Sequence, residues 1–137
     1  MKKANIGLIG MEVMGTNLAL NMESKGYSVA VFNRTALKTE TFAKGRAMGK
    51  GILPTYTIED FVSALESPKK IMLMVKAGKP VDAFIEKLVP LLNEGDLIID
   101  GGNSYYKDTM RRNVDLVEKG IFYIGTGVSG GEEGALK

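Results

Sequence analysis

Two glycines near the N-terminus, Gly10 and Gly15, punctuate the run Ile6-Gly7-Leu8-Ile9-Gly10-Met11-Glu12-Val13-Met14-Gly15, and their spacing suits phosphate chemistry. The apolar run is too short for a helix, is β-branched at Ile6 and Ile9, and stops at Gly10; an apolar helical pattern then begins within a few residues, which predicts a strand, a tight turn and a helix. The first turn of a helix carries N–H groups without intrahelical partners, and together with the helix dipole they form a site for an anion such as a pyrophosphate. Gly10 would supply the turn, and Gly15 would let the helix lie close to its strand. Glu12 occupies the middle position of the glycine fingerprint, where a small residue should let phosphates approach the backbone, so the fingerprint is partial. A partial fingerprint alone is weak, because such turns also occur in α/β proteins that bind no nucleotide.

Asn33-Arg34-Thr35 is the second candidate, about twenty residues past the glycine turn, where folds of this type contact an adenosine ribose. A carboxylate here would accept hydrogen bonds from the ribose hydroxyls of NAD and would repel a 2′-phosphate. Neutral Asn33 followed by the guanidinium of Arg34 favours NADP instead. The bland alternative is that Thr35 caps the next helix and Arg34 is a solvated loop cation. Val75-Lys76-Ala77-Gly78 ends another predicted strand on the same sheet edge, with Lys76 either facing a ligand or simply solvated. Asp100-Gly101-Gly102-Asn103-Ser104 ends a further strand in two glycines that bring its backbone close to something. The stretch Gly125-Thr126-Gly127-Val128-Ser129-Gly130-Gly131-Glu132-Glu133-Gly134-Ala135 is either a concave backbone anion site with an added hydroxyl at Ser129 or a flexible tail.

These segments need elements to hold them. Leu18, Ala19, Leu20 and Met22 give the first helix its apolar face, and Lys25-Gly26 ends it. Residues 28–32 read as a strand and 35–44 as a helix; Gly45, Gly49 and Gly51 mark a loop into a short strand. Ile58, Phe61, Val62 and Leu65 recur at helical spacing, and 71–75 reads as a strand buried on both faces of a parallel sheet. Pro80 opens a helix with Val81, Phe84, Ile85, Leu88 and Leu92 on its apolar face. Then come a strand at 97–99, a polar helix at 106–119 carrying Met110, Val114, Leu116 and Val117, and a strand at 121–124. The alternation predicts an α/β fold, a doubly wound, mostly parallel Rossmann-type sheet with helices on both faces.

The 137 residues make one domain by length, with enough chain for a proper core. Without cysteine or histidine, neither a disulfide framework nor the usual metal ligands are available, and no metal site is expected. Acid–base chemistry would fall to Lys, Asp, Glu or Tyr. Charge is nearly balanced, 18 basic against 16 acidic residues, unlike the footprint of a nucleic-acid reader. No apolar run approaches a membrane span, and Met1-Lys2-Lys3 leads straight into a strand, so a cytoplasmic protein without a leader is expected. The chain stops at Lys137 inside what reads as a loop, as expected of a domain cut from a longer protein.

The chain resembles the N-terminal domain of the 6-phosphogluconate dehydrogenases, the NADP-dependent decarboxylating enzymes of the pentose phosphate pathway. The resemblance rests on the glycine turn, Phe32-Asn33-Arg34-Thr35, Val75-Lys76-Ala77-Gly78, Asp100-Gly101-Gly102-Asn103-Ser104, Asp108-Thr109-Met110-Arg111-Arg112 and the final glycine-rich run. The related β-hydroxyacid dehydrogenases share the fold and a Ser-Gly-Gly element but fit the Asp100 to Ser104 loop less well. The resemblance implies oxidation of 6-phosphogluconate with hydride transfer to NADP, then loss of carbon dioxide to give ribulose 5-phosphate. It implies that Gly10 to Gly15, Asn33, Arg34, Thr35, Val75, Lys76 and Ala77 contact NADP. Asn103 would touch both cofactor and substrate, and Ser129, Gly130 and Gly131 would hold the sugar acid. The family's catalytic lysine and glutamate belong to a large helical domain that also makes most of the homodimer contact, so these 137 residues are expected to bind cofactor without turning over substrate. Glu12 departs from the family's small residue and is expected to weaken that binding. A competing expectation is a structural or interaction module that keeps the fold but binds no cofactor.

Overall fold

The structure, a computed structural model, describes residues 3–10, 13–34, 36–45, 51–75, 78–101 and 106–125. In chain order they form β1 (Ile6–Ile9), α1 (Val13–Ser24), β2 (Val29–Phe32), α2 (Ala36–Lys44), β3 (Ile52–Pro54), α3 (Ile58–Ser63), β4 (Lys70–Leu73), α4 (Lys79–Leu88), a 3-10 turn (Val89–Leu91), β5 (Leu97–Asp100), α5 (Tyr106–Val117) and β6 (Phe122–Gly125). The strands lie in the order β3-β2-β1-β4-β5-β6. Every pairing among them is parallel. The chain runs outward from β1 through β2 to β3, then crosses back to β4 and runs outward the other way. Because such crossovers are right-handed, this reversal puts the helices of the two halves on opposite faces.

Side-chain alternation along the strands fills both faces. Leu8, Val29 and Val31 pack with Ala19 of α1 and Phe42 of α2 on one face. Ile9, Ala30, Ile71, Leu73 and Ile98 pack on the other with Phe61 and Val62 of α3, Val81, Phe84 and Leu88 of α4, and Leu116 of α5. Ile71 and Leu73 are fully buried, as their run of apolar neighbours predicts.

The elements follow the predicted order, with three physical differences. The sheet-facing line of α1 consists of small residues, Gly15 and Ala19, and Leu18, Leu20 and Met22 flank it half-buried. The helix opened by Pro80 gives way at Val89 to a 3-10 turn rather than reaching Leu92. Pro90 explains this, since it has no N–H to continue the ladder. In α5, Leu116 is buried but Met110, Val114 and Val117 are exposed, and the inner face is completed by the charged side chain of Arg112, only 2% exposed. No helix among the described residues is long and apolar enough to cross a membrane.

Candidate functional site at the switch-point rim

Backbone hydrogen bonds tie the C-terminal exits of four strands into one rim. The Gly10 N–H donates to the Phe32 carbonyl at 2.9 Å, the Met74 N–H to that of Ile9 at 2.8 Å, and the Gly101 N–H to that of Leu73 at 2.9 Å. Gly10, Asn33, Val75 and Gly101 therefore leave the sheet side by side. The strand order reverses between β1 and β4, the place where open α/β sheets hold ligands.

The turn at β1 is built by close backbone approach. Gly10 has φ 110°, and a Cβ there would overlap the Met74 carbonyl of the β4 exit. A Cβ on Gly15 would fall on the carbonyl oxygen of Gly10. The two glycines thus let three segments meet with no side chain between them. The twelve-residue α1 starts three residues after Gly10, so its N-terminus lies at the rim.

Beside the β2 exit lies an open cavity of about 490 Å³, lined by Phe32, Arg34, Thr57, Ile58, Glu59, Phe84 and Lys87. Its size falls in the range of small-molecule sites, roughly 300–1,000 Å³. Phe32 and Phe84 meet edge to face with centroids 6.4 Å apart, and Lys87 Nζ stands 6.0 Å from the Phe84 centroid. Exposed Arg34 sits on the lip. An aromatic floor with two cations at its margin suits a planar base attached to a phosphate.

At the other end of the rim is a charged cluster in which Arg112 and Asp100 are buried and Asp82 is partly exposed. Arg112 Nε donates to Asp82 Oδ1 at 2.8 Å, and its Nη2 donates to Asp82 Oδ2 and to the Gly78 carbonyl, each at 3.2 Å. Its Nη1 lies 3.5 Å from Oδ2 of the fully buried Asp100. The Tyr123 hydroxyl donates to the same Asp100 oxygen at 2.8 Å. Burial, reinforced by the bond to Asp100, pushes the Tyr123 hydroxyl well above its ordinary pKa. The hydrogen bond from Arg112 holds the Asp82 carboxyl below the usual carboxylate range.

Of the residues expected at the site, Gly10, Val13, Met14, Gly15, Asn33, Arg34 and Val75 lie along this rim or at the start of α1. Met11, Glu12, Thr35, Lys76, Ala77, Asn103, Ser129, Gly130 and Gly131 lie outside the described residues. Thr57, Glu59 and Lys87 were not foreseen at the site, and Ile58 and Phe84 were expected only as helix core. Asp100 is the last residue of β5, one residue beyond the strand expected at 97–99, and an internal partner of Arg112 and Tyr123. A buried carboxylate requires partners, and a basic pair such as Arg111-Arg112 on a nearby helix was the available hint.

Strand order, the reversal at β1 and the glycine-closed turn define a doubly wound Rossmann-type domain. The family profile for the NAD binding domain of 6-phosphogluconate dehydrogenase matches residues 5–137. The chain is 61% identical over 137 residues to the NADP(+)-dependent, decarboxylating 6-phosphogluconate dehydrogenase of Bacillus subtilis, spanning all of this chain and 29% of that protein. The structure of Plasmodium falciparum 6-phosphogluconate dehydrogenase, described in apo form and in complex with NADP+ and with 6-phosphogluconate, superposes with a TM-score of 0.89 at 42% identity, over 96% of this chain and 28% of that one. A 3-hydroxyisobutyrate dehydrogenase from Mycobacterium tuberculosis shares the fold, with a TM-score of 0.82, at only 19% identity over 98% of this chain and 43% of that one. The chain belongs to the family of NAD-binding domains of 6-phosphogluconate dehydrogenase.

Proposed function

We propose that this chain binds NADP along the rim and forms the cofactor-binding part of an NADP-dependent, decarboxylating 6-phosphogluconate dehydrogenase. The observation that carries the reading is the glycine-closed turn after β1, where Gly10 and Gly15 bring the strand exit, the β4 exit and the start of α1 into backbone contact at the point where the strand order reverses. The relatives support it by name: the Bacillus subtilis protein is NADP(+)-dependent and decarboxylating, and the Plasmodium falciparum structure is described with NADP+ and with 6-phosphogluconate.

In this reading Gly10, Met11, Glu12, Val13, Met14 and Gly15 face the pyrophosphate. Asn33, Arg34 and Thr35 take the adenosine 2′-phosphate, with the base over the Phe32 and Phe84 cavity. Val75, Lys76, Ala77 and Asn103 hold the other half of the dinucleotide; Asn103, Ser129, Gly130 and Gly131 hold the sugar acid. The bound nicotinamide supplies hydride acceptance, and the chain's own residues bind, orient and shield it. Proton transfer belongs to the catalytic lysine and glutamate of the helical domain, so residues 1–137 constitute the cofactor domain alone. A cytoplasmic setting and homodimeric assembly of the whole enzyme are part of the same proposal.

Calorimetric titration of NADP and NAD into this chain and into Arg34→Ala tests it. NADP should bind at least about tenfold more tightly than NAD, and the variant should erase most of that preference. Binding of neither dinucleotide would favour the fold-retaining interaction module instead.

A further inference from the structure

We propose that Arg112 is a positioning residue that sets the β4 and β5 exits relative to each other, and so shapes the half of the rim that holds the end of the dinucleotide remote from adenosine. The proposal rests on the NADP reading above.

A dinucleotide with its pyrophosphate at Gly10 and its adenosine beside Arg34 at the β2 exit has one direction left along the rim: across β4 and β5. Those two exits are joined by a guanidinium from a third element. Arg112 of α5 reaches the Gly78 carbonyl and the Asp82 carboxylate at the start of α4, and it lies beside Asp100 at the end of β5. Gly78 is the N-cap residue of α4, with φ 98°, and its carbonyl accepts the Val81 and Asp82 N–H groups of the first turn as well as the Arg112 guanidinium, which ties the start of the helix to α5. Asp100 is fully buried at the last position of β5, so its placement fixes where the chain leaves the sheet at Gly101. Tyr123 of β6 holds the same Asp100 oxygen and pins the cluster from the far side. The planar guanidinium can serve Asp82 through two nitrogens while reaching Gly78 and Asp100; a lysine ammonium at the same place keeps the charge but lacks the fork.

The distinction between positioning and simple support is measurable because one ligand can be cut in two. NADPH should span the whole rim, whereas adenosine 2′,5′-bisphosphate should occupy only the β1 and β2 side. Titration of both into the wild-type chain, Arg112→Lys and Asp82→Asn is expected to show NADPH affinity falling about tenfold in Arg112→Lys, and by a smaller factor in Asp82→Asn. Affinity for the bisphosphate should stay within about twofold in both variants. Equal losses for the two ligands, or no loss for NADPH, would overturn the positioning role while leaving the cofactor reading intact. Wild-type chain that binds neither ligand would overturn the cofactor reading and this proposal with it. If Arg112→Lys shows no folded circular dichroism spectrum, Asp82→Asn decides by the same two ligands, its carboxylate being 43% exposed.

Discussion

The two halves of the sheet hold their shares of the rim by different physical means. On the β1-β2-β3 side the turn is shaped by what is missing. Gly10 and Gly15 let a strand exit, a helix and a neighbouring carbonyl come into backbone contact, and the packing below is mainly apolar, Leu8, Ala19, Val29, Val31 and Phe42, with uncharged Asn17 and Thr39 as buried polar residues of its helices. On the β4-β5-β6 side the exits are held by long side chains, through the cluster of Arg112, Asp82, Asp100 and Tyr123. A turn closed by backbone tolerates no added atom but does not depend on protonation. A turn closed by ion pairs tolerates small shifts but fails if one partner is removed. In the proposed reading, the contrast suits a site whose one end would grip the pyrophosphate and whose other end would present the reactive ring.

Removing one charge from the side-chain half should give the largest effect. Arg112→Met leaves Asp100 buried without its guanidinium and is expected to lower stability by about 3–5 kcal/mol, read by urea unfolding. Arg112→Met combined with Asp100→Asn should recover much of that loss, because the uncompensated charge is then gone. If the double variant is no better, the cluster acts by packing and the contrast between the halves is lost.

The glycine half offers a test in binding. In the proposed reading, a Glu12 carboxylate about 5 Å from a pyrophosphate charge would be repelled by roughly 3 kcal/mol at an effective dielectric near 20, before salt screening. Glu12→Ala is therefore expected to tighten NADP binding by up to about a hundredfold at low salt, with a smaller gain at higher ionic strength, measured by calorimetry. Equal affinities would mean that the side chain swings away from the phosphates.

Next in size is Gly15→Ala, whose new methyl meets the Gly10 carbonyl oxygen, a backbone atom that cannot step aside. A loss of about 2–3 kcal/mol in urea unfolding is expected, equal at pH 7 and pH 4. A pH-dependent loss would show that the glycine turn is coupled to the charged cluster after all.

The smallest expected effect is the acid limb of stability. The folded-state pKa of Asp82 is depressed, so its contribution is fully present above its unfolded value and disappears as pH falls through the folded one. Its carboxylate is partly exposed and water screens the pair, which limits the contribution to about 1 kcal/mol. Wild type and Asp82→Asn should differ by a constant amount from pH 7 to pH 5 and converge below about pH 4. A gap that persists into acid would assign the effect to hydrogen-bond geometry rather than to charge.

What the sequence determined alone was local. The β/α alternation, the strand-turn-helix at Gly10 and the start of a helix at Pro80 depend on periodicity and backbone preference within a few residues, and all are found where the residue types put them. The candidate cations Arg34 and Lys76 could also be named from their places after strands. Tertiary structure decided the rest, because it depends on which distant segments become neighbours. Only the order β3-β2-β1-β4-β5-β6 sets the Met74 carbonyl against Gly10 and brings Phe84 and Lys87 to the cavity beside Arg34. Only the packing of α5 against α4 turns Arg112 inward to Asp82, thirty residues earlier in the chain, while Met110 and Val114 face out. Hydrophobic periodicity could not foresee that, since a buried charge is stable only once its partners have been assembled around it.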